Sequence, residues 1–265
     1  MTSLVDLRRD LRDEQLALDA IVVEMTNEQW SNATASPGWS VADQIGHLAY
    51  FDRTAATAIT DPVAFALNVE ELHRSSATNL EAADQLTLGW FRNLGSREQL
   101  ASWRANRELL ADACDTLGET DRVIWYGPSM SAKSFLTARL MEVWAHGRDI
   151  AQAVGVTPVA TDRLRHIAQL GCITRGWSYT VRGEPTPNAE ICVKLQSPSH
   201  ETWTWGPTDA PDVVTGSAEE FCLVVTQRIH VDDTGLQFGD AGREWLLHAQ
   251  AFAGRSTQGP APRSL

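Results

Sequence analysis

Apolar residues recur at close to the helical period from the start of the chain. Val5, Leu7, Leu11, Leu18, Ile21, Val22 and Met25 predict one amphipathic helix over residues 3–26, ending near Thr26-Asn27. Ser36-Pro37-Gly38-Trp39 reads as a turn, and Ser40 followed by Asp43 resembles a capping box with the shorter acid. A second helix is therefore expected over 41–58, closed by Asp61-Pro62. Shorter helical pieces follow around 67–72 and 80–88, and Ser96 with Gln99 is expected to open a third long helix to about 118. The segment 121–128 reads as extended. Ser131 begins a fourth helix ending near Gly155, and Thr161-Asp162 a fifth ending near Tyr179.

Beyond Arg182-Gly183-Glu184-Pro185 the pattern switches to period two. Ala189 to Leu195 alternates and is rich in β-branched residues, which predicts a strand; Glu201–Trp205 reads as a returning strand and 212–215 as a third. Ser217 with Glu220 caps a helix to about Arg228, 236–238 is a strand or a loop, and 243–253 is a last helix. The expected fold is mainly α with an α+β appendage: a helical bundle over 1–182, a small α+β domain over 183–255, and a polar, Pro-containing, disordered tail over 256–265. The chain shows no internal repeat, and no P-loop or G-x-G-x-x-G follows a strand.

Charge narrows the partners. The formal net charge of −12 repels nucleic-acid backbones and anionic lipid, so neither nucleic acid nor a membrane surface is an expected partner. No run approaches the roughly 20 apolar residues of a membrane span, and residues 1–10 lack the apolar core of a signal peptide, so a cytoplasmic protein is expected. Cys114, Cys172, Cys192 and Cys222 are far apart, without a C-x-x-C pair, and read as buried small residues. Only Lys133 and Lys194 are lysines among 22 basic residues; with abundant alanine, this points to a GC-rich genome.

The chemistry concentrates in the fourth helix. Glu142 and His146 stand at i and i+4, one above the other on one face, where they can grip one metal ion. His47, on the second helix, can meet them across an antiparallel bundle. Two imidazoles and a carboxylate with open positions is the donor set of catalytic zinc, and non-haem Fe(II) uses the same set. A merely solvated face would look alike, because Arg139, Glu142, His146 and Asp149 form a polar stripe beside the apolar arc of Leu136, Leu140, Val143, Gly147 and Ile150. Asp52 falls within the apolar arc of the second helix, where a carboxylate needs a partner. It serves either a backbone group or arginine, or it supports the metal ligands from behind, as does Asp149.

The stretch Pro37-Gly38-Trp39-Ser40-Val41-Ala42-Asp43-Gln44-Ile45-Gly46-His47-Leu48 with Asp52, and Ala138-Arg139-Leu140-Met141-Glu142-Val143-Trp144-Ala145-His146-Gly147-Arg148-Asp149, resembles the DinB/YfiT-like metalloprotein superfamily. The nearest activity known in that superfamily is that of mycothiol-dependent maleylpyruvate isomerase. The resemblance covers about residues 1–180. Trp203-Thr204-Trp205-Gly206-Pro207 and the segment 219–228 extend it, toward an actinobacterial branch, over the whole chain. It implies a DinB-like four-helix bundle and a divalent metal, usually zinc with Ni2+ or Fe2+ as alternatives, held at His47, Glu142 and His146. It also implies a low-molecular-weight thiol such as mycothiol as co-substrate.

On that basis the expected activity is thiol transfer or isomerisation on a small electrophile, the metal keeping the sulfur ionised at neutral pH. Arg228, Arg148 and Tyr126 are candidate substrate contacts, although exposed arginines are usually only solvated cations and Trp125, Tyr126 and Gly127-Pro128 also read as ordinary packing. A metal hydrolase with Asp149 or Asp52 as base, and a non-catalytic small-molecule binding protein, remain open. A homodimer is compatible with this reading, but the residues do not fix the oligomeric state.

Overall fold

The computed structural model describes residues 3–127 and 129–263, which fold as two compact units, Met1–Pro158 and Val159–Leu265. Pro128, named above with the aromatic segment, lies outside the described residues. In the first unit the helices are α1 (Leu4–Val22), α2 (Val41–Thr60), α3 (Pro62–Thr78), α4 (Leu80–Leu88), α5 (Ser96–Asp115) and α6 (Ala132–Val154). The two-residue strands β1 (Arg122–Val123) and β2 (Met130–Ser131) pair antiparallel just before α6.

The four long helices α1, α2, α5 and α6 form the expected bundle, with α2 packed on α5 and α6, and α1 on α6 and α5. Its polar ties fix the directions. Gln44, His47 and Asp52 meet His146, Glu142 and Arg139 in reverse order, so α2 and α6 run antiparallel. Asp19 meets Arg104 and Arg107 while Arg8 meets Asp115, so α1 and α5 are antiparallel as well.

Local chemistry explains the ends. Ser40 caps α2 in a true capping box with Asp43, as the sequence predicts, and α6 runs from the Ser131 cap to Gly155, whose φ of +73° suits a left-handed stop. Gly46 admits Phe91 against α2, since a Cβ there would lie 3.0 Å from the Phe91 Cβ. Two expectations shift. The capping box expected at Ser96 and Gln99 sits one residue earlier: Gly95 is the cap and donates its backbone N–H to Glu98. Gln99 instead donates to the Phe91 carbonyl. The helix expected over 3–26 stops at Val22, four residues before Thr26 joins a short turn with Gln29.

In the second unit the single fifth helix expected over 161–179 is two, α7 (Leu164–Ile173) and α8 (Arg175–Thr180). Helix α7 packs on α9 (Ala218–Val225), so this segment, expected to belong with the bundle, is part of the second unit's core. The sheet order is β4-β3-β5, with β3 (Ile191–Gln196) antiparallel to β4 (Thr202–Trp205) and parallel to β5 (Asp212–Ser217). Gln237 adds a single bridge to Thr215, and α10 (Asp240–His248) closes the unit, starting and ending earlier than the expected 243–253. Ser217 caps α9, but Glu220 does not complete a box; its carboxylate accepts from Gly235 instead. Within residues 256–263, Thr257 is bonded to Gln227 and Gln250, and the Arg263 N–H donates to Asp233. Among the described residues no helix is long and apolar enough to cross a membrane.

Candidate metal centre

His47, Glu142 and His146 converge, one from α2 and two from α6, with one ligand atom from each inside 4.8 Å of the others. The Glu142 Oε2 lies 3.1 Å from His146 Nε2 and 3.6 Å from His47 Nε2. Ligands about 2.1 Å from one cation stand roughly 3.0–3.4 Å apart at octahedral to tetrahedral angles; the 3.1 Å spacing falls inside that range and the 3.6 Å spacing just beyond it, within reach of a small side-chain adjustment around one ion. The polar stripe of α6 is not a solvated face, because Arg139, His146 and Asp149 are all buried.

A second observation bears on the fit. The Nδ1 of His146 is hydrogen-bonded to Gln44 Oε1, a carbonyl oxygen that can only accept, so Nδ1 carries a proton. A neutral His146 then presents a bare Nε2 lone pair to a carboxylate oxygen at 3.1 Å. Something positive has to lie between them, either a second proton on the ring or a metal cation, and a site of this kind takes up metal with release of a proton. The residues present therefore fit a divalent cation.

Burial, with His146 close by, pushes His47 down to about 4 from its ordinary 6.5, so its imidazole is neutral at physiological pH. Burial opposes ionisation of Glu142, but the hydrogen bonds from His146 and His47 outweigh it and hold the carboxyl well below the usual range. Both shifts act in one direction on stability. A histidine whose folded value is depressed costs nothing above pH 6.5; below that the unfolded chain takes up the proton first, and stability falls until the folded value near 4 is reached. The metal-free protein should accordingly lose up to about 3 kcal/mol between pH 6.5 and 4 through this one group. Urea midpoints across that range check it, and His47→Gln should flatten the profile.

Aromatic rings border the imidazoles. Trp39 lies 5.1 Å from His47 and 6.2 Å from His146 between centroids, and Phe51 lies 4.5 Å from His47. Trp39 is held by its indole N–H on Asp84, and Arg92 joins Asp84 to the α2 cap at Asp43. Gly38, with φ of +78°, makes the turn that delivers it. Tyr126 packs on Phe51 at 5.6 Å, and burial pushes its phenol above the ordinary value.

The other expected residues are placed less directly. Asp52 is fully buried and paired with Arg139 at 2.8 Å, also accepting from Trp103 and Gln15. Asp149 is buried one turn beyond His146, and Arg148 stacks on Trp144 at 5.1 Å. Arg228 belongs to the second unit, where it donates to the Thr226 carbonyl, while all three candidate ligands belong to the first. Sequence reasoning missed Gln44 and the ring role of Trp39. Gln44 stands one turn before His47 on the same helix, the only trace of it in the sequence.

The family described as "Mycothiol maleylpyruvate isomerase N-terminal domain" matches residues 10–151, which cover most of the bundle and all three converging side chains. Two uncharacterized proteins of Mycobacterium tuberculosis, from strains CDC 1551 / Oshkosh and ATCC 25618 / H37Rv, are each 43% identical over 256 residues, covering 94% of this chain and 96% of theirs. The crystal structures of mycothiol-dependent maleylpyruvate isomerase and of a histidine-to-alanine mutant of it are similar in fold, with TM-scores of 0.59 and 0.60 at 17% identity. Each alignment covers 98% of this chain and 97% of the other.

Proposed function

The chain belongs to the mycothiol maleylpyruvate isomerase N-terminal domain family, and from that premise we propose that it is a divalent-metal-dependent enzyme acting with a low-molecular-weight thiol, such as mycothiol, on a small electrophile. His47, Glu142 and His146 are the proposed ligands, and zinc the proposed metal, with Ni2+ and Fe2+ as chemical alternatives. The observation that carries the reading is the convergence of two imidazole nitrogens and one carboxylate oxygen at spacings that suit one ion. Bound there, a divalent cation supplies Lewis acidity that keeps a small thiol ionised at neutral pH.

The chain's own residues supply the rest. His47 offers an uncharged nitrogen because its surroundings suppress protonation, and Glu142 brings the one negative charge of the donor set. Three ligands leave positions open for a thiol, as in catalytic rather than structural sites. Trp39 and Phe51 border the imidazoles with apolar rings, which limits water and strengthens electrostatic contacts at the centre. Isomerisation would be addition of the thiolate to an unsaturated bond, rotation, and loss of the same thiolate; transfer would stop at the adduct.

Cobalt substitution followed by titration with mycothiol tests the reading. The expected result is a sulfur-to-metal charge-transfer band that saturates at one thiol per site. A cobalt-loaded protein that gives no such band would overturn thiol activation and favour metal-activated water.

A further inference from the structure

We propose that Gln44 is a positioning residue that fixes the tautomer of His146 and thereby sets how tightly the centre holds its metal. The inference rests on the metal reading above and extends it to a side chain that touches neither metal nor substrate.

Gln44 is fully buried on α2, and its amide is used from both ends. Its Nε2 donates to Thr34 Oγ1 at 2.9 Å and to Ser36 Oγ at 3.0 Å, while its Oε1 meets His146 Nδ1. An amide in isolation can turn over by 180° and exchange oxygen for nitrogen. Here it cannot, because Thr34 has one hydroxyl proton and donates it to the Trp39 carbonyl at 3.0 Å. Toward Gln44 the Thr34 oxygen can only accept, so it selects the amide nitrogen. The carbonyl oxygen must then face His146 and takes the proton of Nδ1. The polar chain has one direction: Gln44 accepts from His146 and donates to Thr34, which donates in turn to the backbone of the turn that carries Trp39.

That direction leaves the Nε2 of His146 as the lone-pair nitrogen, on the side of Glu142 and His47. The acceptor on Nδ1 also makes Nε2 a stronger donor to a cation. The same turn that presents Trp39 to the imidazoles therefore determines which nitrogen of His146 is available.

The test uses the full chain with three near-isosteric variants, Gln44→Leu, Gln44→Glu and Thr34→Val, each shown folded by circular dichroism. Zinc affinity is measured by competition with a chelator, and the His146 tautomer by nitrogen-15 NMR of the metal-free protein at a pH high enough for the ring to be neutral. Gln44→Leu should weaken zinc by about 10–100-fold and lose the Nδ1–H tautomer. Gln44→Glu keeps an acceptor and should bind zinc at least as tightly as the parent. Thr34→Val frees the amide to turn over and should give mixed tautomers with a smaller loss of affinity. Zinc binding unchanged in Gln44→Leu, in a parent that binds zinc, would overturn the inference and leave the metal reading intact. A parent that binds no zinc would overturn the metal reading, and the tautomer comparison would still decide whether Gln44 orients the ring.

Discussion

Replacing Glu142 with glutamine should abolish the zinc-induced rise in melting temperature while leaving the metal-free protein folded. The substitution keeps the shape of the side chain and removes the one anionic ligand of the donor set. A parent that binds zinc as proposed should gain stability from the ion by mass action, about 4 kcal/mol when zinc exceeds its dissociation constant a thousandfold. Glutamine offers a weak neutral oxygen to the cation, so nearly all of that gain should vanish. In the metal-free state its amide nitrogen can donate to the Nε2 atoms of His146 and His47, which stand 3.1 and 3.6 Å from Glu142 Oε2 in the parent. The cost to the empty fold should therefore stay near the size of one ordinary hydrogen bond, about 1 kcal/mol. Melting curves with a chelator and with excess zinc, read beside the metal content, check both halves. A variant as strongly stabilised by zinc as the parent would remove Glu142 from the centre and the three-ligand reading with it.

That the convergence of His47, Glu142 and His146 is legible in the sequence follows from where they stand. Glu142 and His146 are tied by helical geometry alone, since i and i+4 share a face whatever surrounds the helix. His47 required a further step, the antiparallel packing of α2 on α6, which the expected four-helix bundle supplies. Gln44 was invisible for the opposite reason. Its role depends on a loop of ordinary polar residues, Thr34 and Ser36, folding back so that one hydroxyl proton is already spent on the Trp39 carbonyl. No periodicity or spacing records which way a buried amide points.

Helix ends show the same division. The Ser40 box was readable because both partners are side chains with strong local preferences, whereas the Gly95 cap at α5 depends on Glu98 reaching a backbone N–H and carries no capping side chain of its own. The break between α7 and α8 falls in a stretch with no proline and continuous helical character. There Thr174 leaves the helical region, with φ of −88° and ψ of +7°, although its N–H and its hydroxyl both still meet the Leu170 carbonyl as a mid-helix threonine's would, so residue type alone does not reveal the stop.

The largest stability effect should come from Asp52, and it should be lopsided. Asp52 and Arg139 form an ion pair at 2.8 Å, with side-chain exposures of 0% and 2%. Burial pushes the Asp52 carboxyl above its ordinary value even with the guanidinium beside it, so desolvation outweighs the attraction. The pair is then no net source of stability, yet losing one member is costly. Asp52→Ala leaves a guanidinium in the bundle core with its Nε already lacking a partner, and an arginine cannot shed its charge, so the loss should be about 3–5 kcal/mol. Arg139→Met leaves a carboxyl that escapes the penalty by taking up a proton, and Trp103 and Gln15 still donate to its other oxygen, so this variant should lose less. The double variant Asp52→Leu, Arg139→Met replaces both charges with apolar volume and should recover most of the loss. Urea unfolding of the parent, both single variants and the double variant closes the cycle. Two single variants that cost the same, or a double variant as unstable as Asp52→Ala, would mean that the pair stabilises the bundle directly and that its burial is not the dominant penalty.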